Sequence, residues 1–149
     1  MELLESALKP GSCLRCYCVA VKGADTERIA AKVESKIKEV QARGINFELS
    51  LIYGLPHQTL DSFKTSLDWA HRSGAKKVSA FPLMLLIGTE LHARRRELGL
   101  VESTTIKSPV TERLQDFIPH VVQTPTMSTT DWLKMGELAS APDPNSAHP

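Results

Sequence analysis

The stretch Leu49–Phe63, LSLIYGLPHQTLDSF, decides how the rest of the chain is read. Phe47 to Tyr53 is short and mostly apolar, which suits a strand buried on both faces. Gly54 and Pro56 then break the run. Thr59 caps a helix from about Leu60 to Arg72, whose stripe is Leu60, Phe63, Leu67 and Ala70 and whose stop is Gly74. Strand, glycine-proline loop and helix follow one another without a gap. Loops at the carboxyl end of a strand of this kind often hold a ligand.

The same logic extends in both directions. Upstream, Ile29, Val33, Ile37 and Val40 recur at helical spacing, which predicts a helix from Asp25 to Arg43 ended by Gly44. Downstream, Val78 to Leu83 reads as a second strand, with Pro82 marking its end or a bulge. Gly88-Thr89 opens a short helix to Leu98, stopped by Gly99. Helix, strand, helix, strand, helix with short connections predicts an α/β fold with parallel strands. Residues 103–119 are less regular, His120 to Gln123 suits a short strand, and Ser128 to Asp131 has capping-box spacing before a last helix from about Thr130 to Ala139. The proline-rich tail, residues 140–149, is expected to be disordered. Residues 1–24 carry no clear strand pattern.

The 149 residues suit one domain, with 42% apolar and 23% charged residues. The 18 basic and 17 acidic residues give a formal charge of +1, which gives no push toward nucleic acid or an anionic membrane. Arg94-Arg95-Arg96 is the one dense basic run and reads as a solvated helix face. No stretch approaches the roughly 20 apolar residues of a membrane span, and the amino end has no secretory h-region. The expected location is the cytoplasm. Cys13, Cys16 and Cys18 are then reduced thiols or metal ligands, not a disulfide framework.

Two loops carry a resemblance: IYGLPHQT (Ile52–Thr59) and FPLMLLIGTEL (Phe81–Leu91). With the closing VVQTPTMSTTDWLKMGELA they resemble the later part of a radical S-adenosylmethionine barrel, nearest its cobalamin-binding and coproporphyrinogen-dehydrogenase-like branches. The resemblance spans about Thr26 to Ala139. It implies a partial (β/α) barrel over residues 25–139, holding about two parallel strands and a trailing helical segment. It further implies Ile52 as an apolar wall for the cofactor's adenine and Gly54 as the point where the main chain passes close to the ligand. Ser50 falls where some relatives carry an acidic residue directed at the cofactor, and Met84 where the next strand gives a main-chain contact. On the residues alone, YGLP is an ordinary turn after a strand.

The family's [4Fe–4S] cluster is bound through CxxxCxxC. This chain has CLRCYC, a CxxCxC, so the cluster motif is absent. The resemblance therefore implies a truncated radical S-adenosylmethionine domain, inactive alone, whose partner is a chain carrying the cluster-binding half or a second copy of itself. Two alternatives stand beside it: a non-catalytic interaction module, and a small metal-binding protein using Cys13, Cys16 and Cys18 with a histidine such as His57, His71, His92 or His120. His57 reads as a solvated loop residue, and Trp69 and Trp132 as packing residues.

Overall fold

The computed structural model describes residues 13–17, 25–111 and 117–142. Helix α1 (Asp25–Ala42) ends as Gly44 predicts. Gly44 has φ +66, its N–H donates to the Gln41 carbonyl at 2.9 Å, and Ile45 N–H donates to the Val40 carbonyl at 3.2 Å. Those paired bonds satisfy carbonyls that the helix end would leave orphaned. Strand β2 (Asn46–Tyr53) follows, then helix α2 (Leu60–Arg72) and strand β3 (Lys77–Pro82). Thr59 caps α2 in a reciprocal box with Ser62. Serine takes the place of the usual Glu or Gln and reaches the same N–H.

Helix α3 (Glu90–Ala93) is shorter than the run to Leu98 expected from sequence. Arg95 is the reason. Its N–H and its Nη1 both donate to the His92 carbonyl, at 3.4 and 2.8 Å, which takes the acceptor that an α-helix would give to Arg96. Strands β4 (Val101–Ser103) and β5 (His120–Gln123) pair antiparallel. Helix α4 (Thr129–Ser140) is opened by the expected box, Ser128 with Asp131.

The sheet corrects two expectations. A strand β1 (Cys13–Tyr17) lies in the segment for which none was expected. It runs parallel to β2, with Cys13 opposite Asn46 and Tyr17 opposite Ser50. Arg15 interrupts its apolar pattern, so periodicity hides it. What calls for a strand there is the ladder edge of β2, whose N–H and C=O groups need partners. Among the described residues there are thus three parallel strands where about two were expected, in the order β1-β2-β3. The sheet is open, and β4-β5 form a separate pair. The parallel pairing of β2 with β3 agrees with the α/β reading; Leu49 stands opposite Val78, Leu51 opposite Ala80 and Ile52 opposite Phe81.

Side chains on β2 alternate between two environments, as the strand period of two requires. Phe47, Leu49, Leu51 and Tyr53 are buried in one core with Ile37, Val40, Phe63, Ala70, Trp132 and Met135. Of the other parity, Glu48 and Ile52 are half-buried and Ser50 is buried. The expectation that β2 is buried on both faces therefore holds only in part: the second face is half-open at Glu48 and Ile52. Helices α1, α2 and α4 all feed the same core, so they cover the same face of the sheet. Among the described residues no helix is long and apolar enough to cross a membrane. Cys18, most of the segment 1–24, and the tail beyond residue 142 lie outside the described residues.

Candidate functional site

The loop between β2 and α2 is built from its own side chain upward. Gln58 N–H donates to the Leu55 carbonyl at 3.1 Å, closing a four-residue turn with Pro56 second and His57 third. His57 has φ +64. Proline second and a positive φ third are the signature of a type II turn. The exposed His57 thus holds a backbone position that favours glycine, and its side chain stays in solvent as expected. The Gln58 carboxamide folds back beneath the turn. Its Oε1 accepts from Gly54 N–H at 2.8 Å and Leu55 N–H at 3.3 Å, while its Nε2 donates to the Ile52 carbonyl at 3.3 Å. Thr126 Oγ1 donates to the Gln58 carbonyl at 3.0 Å, tying the loop to the turn before α4.

Gly54 is buried, with φ +87. A Cβ there would lie 3.0 Å from the Val121 carbonyl oxygen and 3.6 Å from the Trp132 indole. β5 and α4 therefore press on this residue from the core side. Tyr53, next to it, is fully buried between Phe63 and Trp132, at ring distances of 5.6 and 6.0 Å. Its hydroxyl shares a 3.2 Å hydrogen bond with Ser108, which also interlocks with Thr111.

Burial, opposed by the Ser108 bond, pushes the Tyr53 phenol up to about 12. A folded value above the ordinary phenol value of about 10 stabilises fully below pH ~10 and loses that stabilisation as pH rises through the folded value. Wild type is expected to lose denaturant midpoint more steeply than Tyr53→Phe between pH about 10 and 12. Parallel urea titrations of the two proteins across that range check this.

The other face of the sheet carries the wall. Ile52 and Phe81 are register partners at the carboxyl ends of β2 and β3, and partners in a parallel pair point to the same side. Phe81 is 40% exposed, and Ile52 is half-buried. One step toward the amino end stand Ser50 and Ser79, and beyond them Glu48 and Lys77. The open face thus grades from charged to apolar toward the carboxyl ends of the strands. Ser50 is itself buried, at 8% exposure.

Met84 lies just past β3 and bridges His120 of β5. The hydrogen bonds of that bridge are made by its neighbours: Val121 N–H donates to the Leu83 carbonyl at 3.0 Å, and Leu85 N–H donates to the Pro119 carbonyl at 2.8 Å. In this pattern the bridging residue turns its own N–H and C=O the other way. Met84's main chain is thus not used by β5. Ile52 and Met84 share the carboxyl end of the sheet; Gly54 shares that end too, but its missing side chain faces the core.

Sequence reading missed Gln58. The signal was present: Gly54 and Leu55 are adjacent buried or half-buried amides that need an acceptor, and a carboxamide stands a few residues on. It also missed Trp132 as the packing partner of Gly54, a contact that no local pattern encodes.

The histidines considered as metal ligands are scattered. His57 is exposed on the loop, His71 and His92 lie on α2 and α3, and His120 is buried behind Met84. Burial, with the Lys107 charge second, holds the His120 imidazole below its ordinary value. Among the described residues no group of three or more His, Cys, Asp or Glu side chains is arranged to hold a metal ion. Compared with protein-family models and with curated proteins, the chain has no match.

Proposed function

We propose that this chain forms the later strands of a radical S-adenosylmethionine-type barrel, and that its open sheet face is the apolar wall on which the cofactor's adenine lies. The observation that carries the reading is the Ile52–Phe81 pair. It is a partly exposed apolar surface on the face turned away from the helices, at the carboxyl ends of parallel strands. That is where α/β sheets and barrels receive ligands. Met84 supports it by offering main-chain groups, unused by β5, beside that surface. In this reading β1, β2 and β3 correspond to the family's fourth, fifth and sixth strands.

The adenine fits these residues and the iron–sulfur cluster does not. An aromatic purine needs an apolar face and a polar edge, and Ile52, Phe81 and Met84 offer both. The cluster needs the CxxxCxxC spacing, which occurs nowhere in the sequence, and Cys13 and Cys16 stand within strand β1 rather than in a loop. S-adenosylmethionine bound at a reduced cluster supplies one-electron chemistry; the part proposed for this chain is to seat the adenine and keep water from its face. The partner proposed is a chain carrying the cluster-binding half.

Anaerobic reconstitution of the isolated chain with iron, sulfide and reductant is expected to give no 5′-deoxyadenosine from S-adenosylmethionine. Titration with adenosine, followed by NMR, is expected to move the Ile52 methyl, Phe81 ring and Met84 amide signals, and Ile52→Asp is expected to abolish those shifts. Turnover above a no-protein control would overturn the first part. Adenosine shifts that spare all three residues would overturn the second.

A second reading is favoured by the exposed apolar side chains beside the wall. Phe81, Met84, Leu86 and Ile87, close in sequence, are 40, 39, 47 and 84% exposed, and exposed apolar surface favours association. Helix α4 lies on the other side: Trp132 and Met135 seat it in the core with Phe63 of α2. Self-association through the open face is the form this reading takes. A monomer by sedimentation at micromolar concentration would exclude it.

A further inference from the structure

We infer that Gln58 determines the specificity of this loop: its carboxamide occupies a two-amide anion cradle, so that the loop takes an uncharged group rather than a phosphate or carboxylate. The inference rests on the proposed position of the ligand at this end of the sheet, but not on which uncharged ligand sits there.

A loop leaving the carboxyl end of a parallel strand and entering a helix can serve as an anion site. Successive backbone N–H groups converge on one point, and the helix end adds positive potential. This loop has the converging pair. Gly54 N–H and Leu55 N–H both point at one oxygen, 2.8 and 3.3 Å away. That oxygen is Gln58 Oε1, and it stands where an anion's oxygen would stand.

The plug is held from three directions. Its Nε2 is anchored on the Ile52 carbonyl, its backbone N–H closes the turn onto Leu55, and its backbone carbonyl accepts from Thr126. Swinging the carboxamide out would strand two N–H groups and one carbonyl in a part-buried place, which is costly. The helix end offers little in exchange. The Ser62 N–H is taken by Thr59 Oγ1 and the Thr59 N–H by Ser62 Oγ, and the Asp61 carboxylate of the first turn is paired with Lys64 at 3.6 Å. An incoming anion therefore meets donors already taken at Gly54, Leu55, Thr59 and Ser62. A neutral group resting on Ile52 and Phe81 needs none of those donors.

The test is inorganic phosphate titrated into the nitrogen-15-labelled full chain, followed at the Gly54 and Leu55 amide signals. Wild type is expected to show no saturable shift across the millimolar range. Gln58→Ala exposes both donors, and both signals are expected to shift saturably, with affinity at least roughly tenfold above wild type, as one charge-assisted contact predicts. Gln58→Glu refills the cradle with its own carboxylate and is expected to ignore phosphate. A saturable response in wild type, or none in folded Gln58→Ala, overturns the inference. Where Gln58→Ala does not fold, hydrogen exchange of the wild type decides: slow exchange at both amides supports the plug, and exchange at the intrinsic rate overturns it. Adenosine shifts absent at Ile52 with the phosphate results intact would sink the adenine reading and leave this one standing.

Discussion

Replacing Trp132 with alanine is expected to lower the stability of the chain by about 3–5 kcal/mol. Trp132 is fully buried, lies 6.0 Å from the Tyr53 ring and stands against Gly54. A buried tryptophan removes roughly 150–250 Å² from water, and its deletion leaves a cavity between α4 and the end of β2. A loss on this scale is a large part of the 5–15 kcal/mol that holds an ordinary domain together. Among the described residues the indole Nε1 has no hydrogen-bond partner, so packing accounts for the residue. Trp132→Phe is therefore expected to cost less than half as much as Trp132→Ala. Urea unfolding of the three proteins checks both statements. Equal losses in the two variants would mean that the space requires the indole itself rather than apolar ring volume.

Gly54→Ala is the second large effect, at roughly 2–5 kcal/mol. Two terms add. Holding an L side chain in the left-handed region costs about 1–2 kcal/mol, and φ at Gly54 is +87. The new Cβ would also lie 3.0 Å from the Val121 carbonyl oxygen, and forcing such a contact in a packed interior costs about 1–3 kcal/mol. Gly44 separates the terms. Its φ is +66, and a Cβ there meets nothing within 4 Å, so Gly44→Ala carries the conformational cost alone. Denaturant midpoints are expected to rank wild type above Gly44→Ala above Gly54→Ala. If the two variants lose equally, the contact between the loop and β5 is looser than the geometry implies.

Those two residues also show why the site was only partly legible. Gly54 was expected to be glycine because a ligand approaches its main chain. The structure supplies a packing reason, from Val121 and Trp132, both far along the chain. The position was readable because a glycine after a strand is a local signal; the neighbour requiring it was not. Ile52 and Met84 stand at the carboxyl end of the sheet, where the strand pattern put them. Gln58 was overlooked because its work is done by a side chain that bends back under its own loop.

What the sequence by itself determined is the local machinery. The bounds of α2, the Thr59 and Ser128 caps, the Gly44 stop and the alternation of strand with helix were all readable. Each depends on residues within a few positions of one another, where backbone sterics and local hydrogen bonds decide the conformation. Only the tertiary structure decided which face of β2 is covered, that Cys13–Tyr17 joins the sheet, and that Thr126 braces Gln58. A ladder edge takes whatever backbone can reach it, almost regardless of side chain, so β1 leaves little trace in its own pattern. An apolar strand such as β2 reads the same whether helices lie on one face or on both, because its hydrophobicity records how much it can bury and not where the partner stands.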